Sequence, residues 1–183
     1  MKIAKGSITA FGMIAMSATA QNLSYGANNW YRSEILTVQP IDFRAQNNIT
    51  VAGIRFFQPN LSRSVNTSTI VVGHLMGAVK EQSANLYATD LAEQGFFTLA
   101  IDTPFCGGSE GFPRNRVFPD LYAEGFSAAV DHLGTLGFVD RARIGAHGIC
   151  GSGSFVISAA KIDTRSKTIA TSSMYDIVEV CRA

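Results

Sequence analysis

The sequence of 183 residues predicts an α/β domain with a mainly parallel sheet and an antiparallel edge on its N-terminal side. Three observations support this fold class. Two alternating, β-branched segments come first, short continuous apolar runs then alternate with segments of helical periodicity, and glycine-rich turns follow several of those runs. The order β-β-β-α-β-α-β-α-β therefore predicts functional residues at the carboxyl ends of the strands.

The first two strands are predicted as an antiparallel pair. Residues 35–43 and 49–57 alternate between apolar and polar positions and are rich in β-branched and aromatic side chains. The turn residues 46–48 lie between them. After a polar connection, residues 69–72 form a short apolar run that ends at Gly73, as expected for a strand buried on both faces.

The remaining elements alternate between helix and strand. The helices show apolar residues on one side, and the strands are short apolar runs. Their predicted bounds, in chain order, are helix 80–94, strand 97–101, a helix capped by Asp120 and ended by Gly137, strand 143–147, helix 154–161 and strand 167–172. A loop rich in glycine and proline covers residues 103–119.

Composition narrows the classes of function. Hydrophobic residues make up 46% of the chain and charged residues 16%, which excludes intrinsic disorder. The net charge of +1 gives no support for a nucleic-acid partner, and no apolar run reaches the roughly 18 residues of a membrane span. Three cysteines, Cys106, Cys150 and Cys181, lack the spacing of a zinc site. We therefore expect no metal and no other cofactor, and at least one free thiol.

The N-terminal residues have the pattern of an export signal. Lys2 and Lys5 precede a moderately apolar stretch, and the small-x-small sequence at 18–20 matches a signal-peptidase site. We predict a signal peptide over residues 1–20, a polar lead-in over 21–34 and a periplasmic or secreted mature protein. The alternative is a cytoplasmic protein with an N-terminal helix.

The turn after the strand at 143–147 predicts a nucleophile. Gly148 and Ser152 flank Cys150 in the order G-x-C-x-S, a variant of the G-x-S-x-G turn between a strand and a helix. Small flanking residues allow the sharp turn that presents the apex side chain to a pocket. Gly151 follows the apex, so its N–H can face a developing oxyanion, and the helix N-terminus favours a thiolate. The alternative for Cys150 is a small apolar residue packed beneath the helix.

Together these motifs resemble the α/β-hydrolase superfamily, and in particular its dienelactone hydrolase-like branch with a cysteine nucleophile. The likeness extends from about Ile35 to Asp176. The segments that carry it are 72–77 (VGHLMG), 80–82 (KEQ), 102–111 (DTPFCGGSEG), 148–153 (GICGSG) and 172–176 (SSMYD). The resemblance implies hydrolysis of, or acyl transfer from, a small ester, thioester or lactone.

The resemblance also implies roles for individual residues. Cys150 would be the nucleophile, and the backbone N–H groups of Gly151 and Met76 would bind the oxyanion. Leu75 stands where many relatives have proline, a change that affects the stiffness of the loop but keeps the N–H of Met76. Asp176 is a candidate for the acid of the triad, and a turn or helix-capping role is its alternative.

A base for Cys150 is missing at the expected position. In this fold the chain order is nucleophile, acid, histidine, but His74, His132 and His147 all precede the cysteine. We expect His74 to orient the loop after its strand, His147 to pack against a helix and His132 to lie at the surface. Residues 35–183 thus resemble a partial α/β-hydrolase domain, incomplete at the C-terminus, that lacks the downstream acid and histidine. Its alternative function is that of an incompetent fragment or pseudoenzyme binding small acyl compounds.

Several features carry open interpretations. The last predicted strand has an open edge, which offers a surface for self-association. Asp102 is expected to brace the glycine-rich loop through backbone N–H groups, and Cys106 can pair with Cys150 in an oxidising compartment. A dinucleotide site is disfavoured because the glycines of 145–153 do not match G-x-G-x-x-G. Three aromatic residues either line an acyl pocket or pack the long loop: Phe105, Phe112 and Phe118.

Overall fold

The computed structural model describes residues 32–62, 64 and 66–174, and a six-stranded sheet forms its centre. The strands follow one another across the sheet in the order β1-β2-β4-β3-β5-β6. The strands are β1 (Thr37–Arg44), β2 (Thr50–Phe57), β3 (Thr67–Gly73), β4 (Phe97–Ile101), β5 (Val139–Ile149) and β6 (Thr168–Ser172), and the helices are α1 (Ser83–Glu93), α2 (Pro119–Gly134) and α3 (Gly151–Ile162).

The pairing of the strands confirms the predicted sheet. Strand β2 is antiparallel to both β1 and β4, whereas β3 is parallel to β4 and β5, and β5 is parallel to β6. Gly73, the last residue of β3, is in register with Ile101 of β4 and Gly148 of β5. The carboxyl ends of the three central parallel strands therefore meet at one edge of the sheet.

The helices cover both faces of the sheet. Neighbouring residues of a strand point to opposite faces, so Val71 packs in the cluster that holds the apolar residues of α2 and α3, and Val72 packs in the cluster that holds those of α1. Both valine side chains are fully buried. Helices on both faces of the sheet thus explain why the sequences of these strands are apolar without interruption.

Helix α2 begins differently from the prediction. Phe118 is its N-cap residue and Pro119 is its first residue, so the expectation that Asp120 caps this helix was wrong. Proline suits the first helical position because its φ is already helical and its missing N–H would have had no acceptor there. Asp120 lies in the first turn, where its carboxylate is favoured by the helix dipole. The helix ends at Gly134 and not at Gly137.

An apolar groove of about 430 Å³ lies on the face of the sheet that carries α1. Leu91, Phe96, Ile70 and Ala146 contribute to its walls. Its lining includes neither Met76 nor Cys150, so it is separate from the candidate site below.

Some predicted features lie outside the described residues. These are the signal peptide at 1–20, the candidate acid Asp176 and Cys181. Within 32–62, 64 and 66–174, β6 pairs on one side only, with β5. None of the helices in this part of the chain has the length and hydrophobicity that crossing a bilayer requires.

Candidate active site

Cys150 occupies a strained turn between β5 and α3. Its backbone has φ 54° and ψ −118°, and α3 begins at the next residue, Gly151. Its N–H donates a hydrogen bond of 2.8 Å to the carbonyl oxygen of Ser172, at the end of β6. Positive φ is costly for a residue with a side chain and concentrates at functional sites. The predicted sharp turn is therefore present, with a partly exposed thiol at its apex.

Gly148 is required by the close approach of the chain to itself. A Cβ at this position would lie 2.4 Å from the carbonyl oxygen of Ser152 and 2.7 Å from the Cα of Gly153. Real Cβ atoms do not come this close to backbone atoms. The glycine before Cys150 therefore has the steric role that the motif predicted.

Ser152 links the turn to the loop that follows β3. Its side chain is buried, and its Oγ donates a hydrogen bond to the carbonyl oxygen of His74. Space for this side chain exists because Gly73 has no Cβ: one placed there would lie 2.9 Å from Ser152 Cβ. The second small position of the motif thus holds a serine that joins two loops of the site.

The loop between β3 and α1 supplies the second candidate oxyanion donor. Met76 is half-buried in it, and Gly77 follows with φ +73°. Among the residues that the structure describes, the N–H of Met76 has no hydrogen-bond acceptor. The N–H of Gly151 lies in the first turn of α3, where backbone donors have no partner within the helix. Both donors named by the sequence therefore lie in segments that follow parallel strands, at the carboxyl edge of the sheet.

A buried cluster of charges fixes the bases of two loops. Asp102 is fully buried, and its carboxylate accepts hydrogen bonds of 2.7 Å each from Lys80 Nζ, the Lys80 N–H and the Gly108 N–H. Lys80 Nζ also lies 2.8 Å from Glu81 Oε1. A Cβ on Gly107 would lie 2.2 Å from the Asp102 carboxylate, so only glycine fits there. Asp102 thus braces the glycine-rich loop as predicted, and Lys80 and Glu81, which the sequence placed in a helix, belong to this cluster.

The cluster also determines protonation. Burial alone lowers the pKa of Lys80, but the Asp102 carboxylate and the hydrogen bonds to Asp102 and Glu81 raise it overall, so the ammonium is retained. Burial is also the largest influence on His74 and lowers its pKa, outweighing the hydrogen bond to Leu75 and the Asp102 charge. Lysine is therefore charged and histidine neutral in the same buried region.

The other two histidines have partners other than Cys150. His147 Nε2 is 2.8 Å from Ser172 Oγ, and its ring meets the ring of Tyr87 on α1 edge-on at 4.7 Å. His147 therefore packs against a helix as predicted. His132 stacks on Phe43 at 5.1 Å and contacts Arg55, so the expected surface position was wrong.

Cys106 and the loop aromatics have structural contacts. Both described cysteines are free thiols, and buried Cys106 Sγ lies 3.0 Å from Tyr122 Oη, so the disulfide considered above is absent. The rings of Phe105 and Phe118 are 5.0 Å apart, and Phe105 is buried. Phe112 is 89% exposed and does not share this packing. The packing interpretation therefore holds for Phe105 and Phe118.

Sequence reasoning missed the part that β6 plays at the site. Ser172 accepts the hydrogen bond from the Cys150 N–H and contacts His147 through its hydroxyl. Met174 packs so closely against Gly153 that a Cβ there would lie 2.6 Å from Met174 Cγ. The only signal for this in the sequence was the glycine at 153, which permits the contact.

Comparison with known proteins identifies relatives of unassigned function. No protein-family model matches the chain. The chain is 44% identical over 140 residues to the uncharacterized protein PA2218 of Pseudomonas aeruginosa, covering 76% of this chain and 38% of that protein. It is 40% identical over 144 residues to the uncharacterized protein YcjY of Escherichia coli, covering 78% and 47%. The chain thus spans less than half the length of these relatives.

Other comparisons reach proteins with named activities. The thiohydrolase aneE of Aspergillus aculeatus is 31% identical over 121 residues, which cover 66% of this chain and 38% of aneE.

Among solved structures, PA2218 of Pseudomonas aeruginosa matches with a TM-score of 0.80 at 41% identity, over 84% of this chain and 48% of that one.

Two solved hydrolases share the fold at lower identity. The α/β hydrolase GrgF of Penicillium sp. sh18 matches with a TM-score of 0.68 at 22% identity, over 74% of this chain and 45% of GrgF. The dienelactone hydrolase-like phosphotriesterase P91 from metagenomic libraries matches with a TM-score of 0.64 at 20% identity, over 76% and 60%. The strand order and these likenesses together show that the described part of the chain has the fold of an α/β hydrolase.

Proposed function

We propose that Cys150 is the nucleophile of an acyl-transfer or hydrolysis reaction on a small ester, thioester or lactone. The observation that carries the proposal is the backbone of Cys150, with φ 54° and ψ −118° at the junction of β5 and α3. A strained apex between a strand and a helix presents its side chain at the carboxyl edge of the sheet. Two backbone donors near that edge, on Gly151 and Met76, are available to a carbonyl oxygen.

The reaction begins with attack of the Cys150 thiolate on the acyl carbon. A C–S bond forms, and the carbonyl oxygen takes up the electron pair and accepts hydrogen bonds from the N–H groups of Gly151 and Met76. When the tetrahedral intermediate collapses, the bond to the leaving oxygen or sulfur breaks, and the leaving group departs with the electron pair and takes a proton from water. Water then cleaves the thioester on Cys150 to release the acid, or another nucleophile accepts the acyl group.

The relatives support this class of chemistry. The thiohydrolase aneE and the acyltransferase drtE of Aspergillus calidoustus both match this chain at above 30% identity, over 66% and 51% of it. Hydrolysis and acyl transfer share the same acyl-enzyme step and differ in the acceptor. The proposal therefore names the shared step and leaves the acceptor to experiment.

A second candidate function is binding of small acyl compounds with little turnover. It rests on the positions of the three histidines of the sequence, all of which have other partners. His74 is buried against Leu75 and Thr103, His132 stacks on Phe43, and His147 contacts Ser172. Without a neighbouring base, deacylation of Cys150 would be slow.

Acylation with p-nitrophenyl acetate tests the proposal, because its leaving group needs no proton from the protein. We expect rapid release of one equivalent of p-nitrophenolate. Mass spectrometry of the intact protein and of its peptides should locate one acetyl group on Cys150. Cys150→Ala should abolish both signals, and the matched control Cys106→Ser should retain them. Acetylation that is unchanged in Cys150→Ala would contradict the proposal. Release of more than one equivalent indicates turnover. Release that stops at one equivalent favours the binding function.

We also propose that the protein is exported and loses residues 1–20. The support is the pattern of Lys2, Lys5 and the small residues at 18–20. The intact mass of protein purified from an exporting host should correspond to a chain beginning at Gln21. A mass that includes Met1 would favour the cytoplasmic alternative.

A further inference from the structure

The orientation of one peptide group decides whether Met76 can act as an oxyanion donor. The peptide between Leu75 and Met76 is trans, so its C=O and N–H point in opposite directions. The Leu75 carbonyl oxygen accepts hydrogen bonds from His74 Nδ1, at 2.7 Å, and from the Ala78 N–H, at 3.1 Å. Both donors hold the carbonyl on one side, and the N–H of Met76 is consequently directed to the other side.

The hydrogen bonds of His74 fix its tautomer. The Thr103 N–H donates to His74 Nε2 at 3.2 Å, and a backbone N–H can only donate, so Nε2 carries no proton. The Leu75 carbonyl can only accept, so Nδ1 carries the proton. His74 therefore spans the site as a neutral ring that accepts from the loop after β4 and donates to the loop after β3.

Both the ring and the backbone of His74 are held in place. His74 is 2% exposed, and its own carbonyl oxygen accepts the hydrogen bond from Ser152 Oγ on α3. Thr103 directly follows Asp102, whose N–H donates to the Ala52 carbonyl oxygen at 2.9 Å and whose carboxylate is bonded to Lys80. The ring is thus held through Thr103, next to the charge cluster, and the backbone of His74 is held by Ser152.

We propose that His74, as the neutral Nδ1–H tautomer, is a positioning residue that aims the Met76 N–H at the carbonyl oxygen of an acyl group on or approaching Cys150. The inference rests on the proposed function of Cys150 and goes beyond it by assigning the residue that prepares the oxyanion site. The hydrogen bond to the Leu75 carbonyl also polarises that amide, which strengthens its N–H as a donor.

Burial keeps the His74 ring neutral in spite of the charges around it. Lys80, Glu81 and Asp102 are the charged groups that act on His74, with one positive and two negative charges. The carboxylates favour protonation, but burial has the larger effect and the Lys80 ammonium opposes it as well. In a protonated ring, Nε2 could no longer accept a hydrogen bond. Its N–H would then face the N–H of Thr103, so that two donors would lie against each other.

Two probes of Cys150 separate positioning from general structure. Acylation by p-nitrophenyl acetate develops an oxyanion, whereas alkylation by iodoacetamide is a displacement at a saturated carbon and requires no such donor. The ratio of the two rates at Cys150 cancels changes in thiol access and in the folded fraction. We compare wild type with His74→Leu, which removes both hydrogen bonds, and with His74→Asn, whose side-chain amide can donate from about the position of Nδ1.

We expect the ratio of acylation to alkylation to fall at least about 10-fold in His74→Leu, below the 10²–10³-fold effect of deleting an oxyanion donor outright. In His74→Asn we expect it to stay within about 3-fold of wild type, because the donor to Leu75 is kept. An unchanged ratio in His74→Leu would overturn the inference while the proposed function stands. Failure of wild type to acylate at Cys150 would instead overturn the proposed function, and the inference with it.

A measurement on the wild-type chain is independent of folding in the variants. The ¹⁵N chemical shifts and two-bond couplings of the His74 ring distinguish the Nδ1–H tautomer, the Nε2–H tautomer and the imidazolium. We expect the Nδ1–H tautomer at pH 7 to 8. A ring protonated at Nε2, alone or together with Nδ1, would overturn the inference.

Discussion

Ser152 Oγ donates a hydrogen bond to the carbonyl oxygen of His74, and this contact joins the turn at Cys150 to the loop that carries Met76. The two residues are 78 positions apart in the chain. Each belongs to a segment that follows a parallel strand, β5 for Ser152 and β3 for His74. The contact therefore connects the two loops directly, without involving the side chain of Cys150.

Replacing Ser152 by alanine should destabilise the protein. The hydroxyl is buried, and its loss leaves the His74 carbonyl without this donor, so we expect the free energy of unfolding to fall by about 1–2 kcal/mol. Urea unfolding followed by circular dichroism measures it. The matched control is Ser158→Ala on the same helix, where an exposed hydroxyl bonds only to Ser154 O of its own helix. Equal effects of the two substitutions would contradict the assigned role of Ser152.

The steric demand at the turn predicts a large effect of Gly148→Ala. A Cβ there would lie 2.4 Å from Ser152 O, so the turn must open and Cys150 must shift. We expect loss of soluble folded protein or a destabilisation above about 3 kcal/mol. Gly137→Ala is the control, because a Cβ there meets no atom within 4 Å. It should change stability by less than about 0.5 kcal/mol in the same thermal or urea unfolding experiment.

Local patterns in the sequence were sufficient to predict the sheet and the sharp turn at Cys150. Strands β3 and β4 could be predicted from their own residues alone, because strands buried on both faces are apolar throughout. The sharp turn could likewise be predicted from the small size of the flanking residues Gly148 and Ser152. These features are local, and local features are what a single sequence displays.

Contacts between distant segments account for the errors. The predicted helix at 80–94 begins at Ser83, because Lys80 bonds through both its N–H and its Nζ to Asp102, 22 residues away. His132 on helix α2 was expected at the surface, but it contacts Phe43 of β1 and Arg55 of β2. Nothing in the neighbouring residues of Lys80 or His132 reports these partners. Helical periodicity in the sequence does not show which charged or aromatic side chain from a distant part of the chain will contact the helix.

The buried charge cluster predicts a strong effect of Lys80→Met. The substitution removes the partner of Asp102 and Glu81 and leaves two carboxylates in a buried site, so we expect about 3–5 kcal/mol of destabilisation. The matched control is Asp131→Asn, which breaks an ion pair with Arg165 whose side chains are each 48% exposed. That change should cost less than about 1 kcal/mol. Chemical denaturation at pH 7 measures both, and a Lys80→Met protein as stable as the control would show that the cluster does not support the fold.

The burial of His132 predicts that stability decreases with falling pH. Burial, followed by the charge of Arg55, lowers the pKa of His132 from 6.5 to about 4. Above pH 6.5 neither state of the protein binds a proton at this ring, so its contribution to stability is complete there. Between pH 6.5 and 4 the unfolded chain is protonated and the folded chain is not, so the free energy of unfolding falls as pH falls. His74 and His147, whose pKa values are also lowered by burial, act in the same direction.

Comparison of wild type with His132→Phe isolates this residue, because phenylalanine keeps the ring stacked on Phe43 and cannot titrate. We expect the free energy of unfolding of wild type to fall more steeply than that of the variant between pH 7 and 5, as measured by urea denaturation at each pH. The carboxylates and the other two histidines are common to both proteins, so their contributions cancel in the difference. A difference that stays constant over this range would mean that His132 has the same pKa in the folded and unfolded chains. The stack on Phe43 and the contact with Arg55 would then have no effect on its protonation.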